Sequence, residues 1–231
     1  MGLKDSIEVV MLDFDGTVAD TMGFLTRTAA GLLSEVYGMA AADARNAYIN
    51  TSGLPFVQQM EIIRPGDSRN AETVRRFEHA KKANLSGFNL YPDAVPATAA
   101  LRRGGIRVCV SSSNREGLIR SLLTARGLEV DLVLGFRPGF EKGRDHFEFA
   151  CAAFKVEADR LLFVGDSHRD GVVASAAGVR FVLRSGLLNA DTIAVLLPGV
   201  TVIDSLEDLL PLLGIEKAQG TRGSTQLPEP F

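Results

Sequence analysis

Short, solidly apolar runs punctuate this chain: "IEVVML" at 7–12, "IRVCV" at 106–110, "LVL" at 132–134, "LLFV" at 161–164, "VRFVL" at 179–183 and "VTVI" at 200–203. They are rich in Val, Ile and Leu and show little alternation. That pattern predicts parallel strands covered on both faces. Between them the apolar spacing changes to that of helices. Phe147, Ala150, Cys151 and Phe154 fall at i, i+3, i+4 and i+7, and Leu206, Leu209, Leu210 and Leu213 repeat the spacing before Gly214. Leu118, Leu122 and Ala125 make a third stripe that stops at Gly127, and "DGVVASAAG" ends similarly at Gly178. Strand and helix alternating at this rhythm predict an α/β doubly wound parallel sheet.

One interval breaks the rhythm. Between the first strand and the strand at 106 lie over ninety residues without a convincing strand. Residues 21–37 and 69–86 read as helices, separated by polar breaks containing Gly or Pro. A structureless loop of that length is foreign to a compact domain, so the interval predicts a small helical insert, residues 20–88. Its connections, near Thr17–Thr21 and Gly87–Pro92, are candidate hinges. The core is then residues 1–19 and 89–215, and the polar stretch 216–231 reads as a tail.

Composition narrows the field. The 231 residues are 46% hydrophobic and 23% charged with net charge −3, as in a soluble chain with a real core. Basic residues form no stripe, which argues against a nucleic-acid partner. The two cysteines, Cys109 and Cys151, sit in apolar runs, fitting core use in a reducing compartment such as the cytoplasm. No apolar run reaches the ~18 residues that would argue for a membrane span. The start, "MGLKDS", matches a short myristoylation pattern, for which a plain exposed N-terminus is the competing reading.

In an open parallel sheet, ligands bind beyond the carboxyl ends of the strands. The first strand is followed there by Asp13, Phe14, Asp15, Gly16 and Thr17, the second by Ser111, Ser112, Ser113 and Asn114, and "LLFV" by Gly165, Asp166, Ser167, His168, Arg169 and Asp170. Side chains two apart on an extended chain face one side, roughly 6.6 Å apart along it. Two carboxylates facing one pocket need a cation or a shared proton. Unless one merely caps a turn, they suit divided labour: one attacks phosphorus, and the other exchanges a proton with the leaving oxygen and then with water. Asp166 and Asp170 add hard oxygen donors that suit Mg²⁺. Asp170 reads equally as a supporting residue or a helix N-terminal charge, and His168 as a solvated loop histidine. Ser112 offers a phosphate cradle at a helix N-terminus, or caps the helix in competition with Ser113 or Asn114.

Taken together, "DFDGT", "VCVSSSN", Lys142 and "GDSHRD" resemble, in order, the four motifs of the haloacid dehalogenase-like hydrolase superfamily. The resemblance spans most of residues 7–183. It implies Asp13 as nucleophile, Asp15 as general acid/base, Ser112 as the phosphate-binding hydroxyl (with Ser111 one residue away and Ser113 beside it), and Lys142 holding phosphoryl oxygens. It also implies a Mg²⁺ site from Asp13, the backbone carbonyl of Asp15, Asp166 and Asp170. "DGTVAD" and "LYPDAVPATAALRRGG" further resemble members with a helical cap after the first motif, such as phosphoglycolate phosphatases and β-phosphoglucomutases. Gly143 stands where many relatives have proline. In "NTSGLPFVQQM" and just beyond it, Thr51, Ser52, Gln58, Gln59 and Arg64 are candidate substrate contacts, or ordinary polar cap surface.

Asp15 favours a phosphate ester over a carbon–halogen bond, because an alkoxide needs a proton to leave and a halide does not. The expectation is a Mg²⁺-dependent phosphatase, similar to phosphoglycolate phosphatase, acting on a small phosphorylated metabolite through an aspartyl-phosphate. A phosphomutase is the alternative, and a catalytically silent phospholigand-binding protein a remote third. The chain is expected to work as a monomer or homodimer, without a membrane.

Overall fold

The computed structural model describes residues 6–84 and 87–216. Most of the N-terminal "MGLKDS" pattern and nearly all of the 216–231 tail lie outside those residues. The six apolar runs form six parallel strands: β1 (Val9–Asp13), β2 (Arg107–Ser111), β3 (Leu132–Leu134), β4 (Leu161–Gly165), β5 (Arg180–Arg184) and β6 (Thr201–Ile203). Their order is β3-β2-β1-β4-β5-β6, so β1 lies inside the sheet, between β2 and β4. That is the doubly wound order, in which the chain reverses direction across the sheet beside β1.

Strand parity assigns the two faces. Val10, Leu12, Val108, Val110, Leu162 and Val164 face one side, under α5 (Ala94–Arg103) and α6 (Glu116–Ala125). Val9, Met11, Cys109, Leu161 and Phe163 face the other, under α7 (Arg144–Phe154) and α8 (His168–Ala176). Full burial of such side chains stabilises by about 1.5–3 kcal/mol each before entropy is counted. The leucine stripe 206–213 is buried as its spacing predicts, but not as one helix. A 3-10 turn at Leu206–Asp208 passes into a short helix, Leu209–Leu212. Pro211 accounts for the break, since it has no N–H and is tolerated only in a helix's first turn.

The insert holds four helices: α1 (Met22–Tyr37), α2 (Ala41–Asn50), α3 (Phe56–Ile63) and α4 (Asn70–Ala83). They enclose a third apolar cluster, which includes Leu25, Leu33, Tyr48, Phe56, Met60 and Phe77. Helices α2 and α3 occupy what reads in sequence as polar breaks. In α2 only Ala44 and Tyr48 are buried, too sparse a stripe to announce a helix. The two connections between insert and sheet run side by side. Asp20 N–H donates to Asn89 O at 2.9 Å, and Tyr91 N–H to Val18 O at 3.0 Å. No helix among the described residues is long and apolar enough to cross a membrane.

Candidate active site

Asp13 ends β1 on the parity of Val9 and Met11, so its carboxylate faces the α7 and α8 side. Lys142, in the loop before α7, meets it there at 3.0 Å, Nζ to Oδ1, and meets Asp170 Oδ1 at 2.8 Å. Asp170 owes its position to a capping box: Ser167 Oγ accepts from Asp170 N–H, while Asp170 Oδ2 accepts from Ser167 N–H at 3.2 Å and from Ser167 Oγ at 2.6 Å. Asp170 is thus the helix N-terminal charge and the lysine's partner at once.

Oxygen atoms of Asp13, Asp166 and Asp170 lie within 4.8 Å of one another, and all three residues are buried. Burial first, then the charges of Asp170 and Asp15, push the Asp13 carboxyl up to about 7 against the pull of Lys142. Burial and the charges of Asp13 and Asp170 push Asp166 well up too. For Lys142, burial works against the charge, and the two carboxylates more than offset it. Three buried carboxylates against one ammonium leave the cluster short of positive charge, and Asp166 Oδ2 has no hydrogen-bond partner. An all-oxygen donor set with an orphaned carboxylate oxygen fits a hard divalent cation such as Mg²⁺. Gly16, at φ +74°, makes the fit possible, because a Cβ there would come within 1.9 Å of Asp166 Oδ2.

Asp15 stands apart from this cluster. Its Oδ1 accepts from Thr21 Oγ1 at 2.7 Å and its Oδ2 from Asn114 Nδ2 at 2.5 Å. Its carboxyl oxygens are thus held by Thr21 and Asn114, outside the Asp13–Asp166–Asp170 cluster, and both Asp13 and Asp15 line the cavity.

The serines separate by position. Ser111, in register with Asp13, bonds His146 Nδ1 on α7 at 2.8 Å, away from the cavity. Ser112 is fully buried, and its Oγ accepts from the N–H and Nδ2 of Asn114. Ser113 lines the cavity and donates to Gly53 O at 3.0 Å, joining the core to the insert. His168 opens α8 and is absent from the cavity wall.

Of the five candidate contacts in the insert, Ser52 and Gln59 line the cavity. Ser52 Oγ already donates to Tyr48 O, and Gln59 Nε2 to Leu54 O. Thr51 donates to Ala47 O and Gln59 Oε1 behind the wall. Gln58 donates to Glu141 Oε2 at 2.9 Å, beside Lys142, as a second bridge between insert and core. Arg64 lies over the Tyr37 ring and is not brought to the cavity. From sequence, Thr21 marks only the end of a candidate hinge, Tyr48 carries no role and Asn114 is only a candidate helix cap. Asn114 carried a signal as a polar residue at a strand end. Tyr48 carried none, because only the packing of the insert over the sheet brings it near Asp15.

An acid-rich site at the carboxyl edge of a doubly wound sheet, roofed by an inserted helical cap, defines a class of Rossmann-like enzymes. The chain belongs to the haloacid dehalogenase-like hydrolase family, whose sequence model matches residues 10–183. It is an enzyme of the phosphatase kind. A phosphoglycolate phosphatase of Rhodospirillum rubrum is 28% identical over 228 residues, covering 93% of this chain and 94% of that protein. Phosphoglycolate phosphatase 1 of Pseudomonas aeruginosa is 27% identical, covering 88% of this chain and 78% of its own length. Among solved structures, CbbY of Rhodobacter sphaeroides in complex with phosphate shares the fold with a TM-score of 0.67 at 20% identity, over 90% of this chain and all of that one. A haloacid dehalogenase-like protein of Streptococcus pneumoniae gives 0.72 at 15% identity, over 89% and 97%.

Proposed function

We propose that this phosphatase is Mg²⁺-dependent and hydrolyses a small phosphorylated metabolite through an aspartyl-phosphate on Asp13. The observation that carries the reading is the convergence of Asp13, Lys142 and Asp166 at one edge, with Asp15 held separately by Thr21 and Asn114. A carboxylate oxygen of Asp13 attacks phosphorus as the bond to the ester oxygen breaks. Asp15 gives its proton to the departing alkoxide. It then takes a proton from the water that attacks the aspartyl-phosphate, releasing inorganic phosphate and restoring both carboxyl groups. Lys142 favours the ionised form of Asp13 and faces the phosphoryl oxygens, with the Ser112–Ser113 segment beside them.

Asp13, the Asp15 backbone carbonyl and Asp166 would hold Mg²⁺, with Asp170 behind them. Its chemistry when bound is neutralisation of charge on the phosphoryl oxygens. Every group in this scheme comes from one chain, so a monomer or homodimer serves equally. Two free cysteines, one of them buried, accord with a cytoplasmic setting. The test is phosphate release from a panel of phosphorylated metabolites, phosphoglycolate included, with and without Mg²⁺. Asp13→Asn should abolish turnover in a folded protein. Near-wild-type turnover in that variant, or an isomeric sugar phosphate as product, would overturn the reading.

A further inference from the structure

The cavity over Asp13 and Asp15 has a volume of about 700 Å³ and reaches far into the cap. Phosphoglycolate has about nine non-hydrogen atoms, which fill roughly 270 Å³ even at the volume each water takes in the liquid. Most of the cavity would remain empty around it. Two of the cations that line the cavity are already paired, Lys142 with Asp13 and Asp170 and Lys81 with Glu78 at 2.9 Å, while Lys82 and Arg115 line it as exposed residues.

Much of the rest of the wall is apolar. Leu25, Phe56 and Phe77 line it from the cap, and Leu118 and Phe136 from the core. Phe56 and Phe77 are stacked on each other, with centroids 3.9 Å apart and planes at 26°, which makes this part of the wall rigid and apolar. Tyr48 breaks this wall. It is 4% exposed, lines the cavity, and has no hydrogen-bond partner for its hydroxyl among the described residues. Its ring packs beside the stacked Phe56–Phe77 pair, at centroid distances of 6.2 and 6.1 Å. The phenol is close enough to Asp15 and Asp166 that their charges, after burial, push it up. A phenol O–H on the cavity wall is a donor that a ligand oxygen can take up in place of water.

Building on the phosphatase reading, we propose that the preferred substrate is a phosphate monoester with a bulky apolar or aromatic body, and that Tyr48 is the cap's hydrogen-bond donor to an oxygen of that ester. The apolar body fills the Leu25, Phe56 and Phe77 wall, and Tyr48 orients the end nearest phosphorus.

Three alkyl esters with similar alkoxide leaving groups test this: ethyl phosphate, 2-phosphoglycolate and 2-(2-naphthyl)ethyl phosphate. With Mg²⁺, kcat/KM for the naphthylethyl ester is expected to exceed that for phosphoglycolate by at least about 100-fold, the size of discrimination a hydrophobic pocket supplies. Phosphoglycolate turned over as well or better overturns the proposal. Release of phosphate from none of them overturns the phosphatase reading instead. The substrate class is then decided by naphthalene fluorescence on Asp13→Asn protein: binding at least about tenfold tighter than ethyl phosphate, by competition, supports it, and equal binding sinks it. Tyr48→Phe removes only the hydroxyl. It should lower kcat/KM for the naphthylethyl ester about tenfold or more, with kcat falling more than KM rises and an unchanged circular dichroism spectrum. Wild-type kinetics in that variant would remove Tyr48 from the proposal.

Discussion

Asn114 Nδ2 donates to Asp15 Oδ2 at 2.5 Å, joining the loop after β2 to the loop after β1. With Thr21 Oγ1 on the other oxygen, it fixes the plane of the carboxyl group to which the proposed mechanism assigns both proton transfers. Asn114→Ala frees that plane. A misplacement of about 1 Å costs on the order of 100-fold in rate, so kcat should fall about 10- to 100-fold with little change in KM. Losing a hydrogen bond to a charged group costs about 1–3 kcal/mol of stability. Steady-state phosphate release beside thermal unfolding checks both. Wild-type kcat in Asn114→Ala would show that Asp15 needs no such support.

Among the described residues Lys142 is the cation paired within the Asp13–Asp166–Asp170 cluster, with a side chain only 5% exposed. Lys142→Met keeps the bulk and removes the charge, leaving two buried carboxylates without their partner. Breaking a buried pair from one side costs about 3–5 kcal/mol, on the order of 10 °C in melting temperature for a chain of this size. Thermal melts of both proteins in a chelating buffer are the measurement. A midpoint unchanged within error would mean the carboxylates are satisfied without Lys142.

Asp166 should behave in the opposite sense. Burial and like charges disfavour its ionised form, and its Oδ2 has no hydrogen-bond partner. With metal removed by a chelator, Asp166→Asn relieves that repulsion and should raise stability by about 1–2 kcal/mol. With Mg²⁺ the order reverses, because wild type gains binding free energy that the variant lacks. Melting curves with EDTA and with saturating Mg²⁺ give the four values needed. If Mg²⁺ stabilises both proteins equally, Asp166 is not a ligand.

How far the fold was legible follows from what each segment buries. The strands carry unbroken apolar runs because both of their faces are covered, and all six stand where those runs lie. Asp13, Asp15, Asp166 and Asp170 were visible because carboxylates at strand ends have no packing use. The cap was legible only as missing strands. Helix α2 hides behind a polar sequence, since it buries just Ala44 and Tyr48. The serine run was ambiguous for a related reason. Register alone sends Ser111 to His146, and one further residue turns the chain so that Ser113 reaches Gly53. Contacts between the cap and the sheet depend on how two layers meet, and no local pattern encodes that.

His146 makes acid stability testable. It is fully buried on α7, and burial, then the charge of Lys142, lower it from 6.5 to about 4. Between those values the unfolded chain binds a proton that the native state refuses, so the His146 contribution to stability falls as pH drops from 6.5 toward 4, against the opposite contribution of the raised Asp13 carboxyl. The shift corresponds to about 3 kcal/mol. His146→Gln removes the His146 titration and should raise stability at pH 4.5 relative to pH 7 compared with wild type. Urea unfolding at pH 7 and pH 4.5 is the check, and equal slopes in both proteins would reject the assignment.

Gly53 ties the cap loop to the core. Its φ is +93°, its carbonyl accepts from Ser113, and a Cβ would come 2.8 Å from Ser167 Oγ and 3.1 Å from Arg169 Cβ. Gly53→Ala therefore meets both a backbone conformation that L-residues disfavour by about 1–2 kcal/mol and a contact too close to keep. Most of the strain can be relieved by lifting the loop away from the start of α8. The cost should thus appear in closure of the cap rather than in folding. Melting temperature should fall by no more than about 4 °C, while kcat falls and KM rises together, as expected when a closing segment is displaced. The combined loss in kcat/KM should be about 10- to 100-fold. A Gly53→Ala enzyme with normal kinetics and a large drop in melting temperature would make this loop a structural strut, with closure governed elsewhere, first by the Gln58–Glu141 bridge.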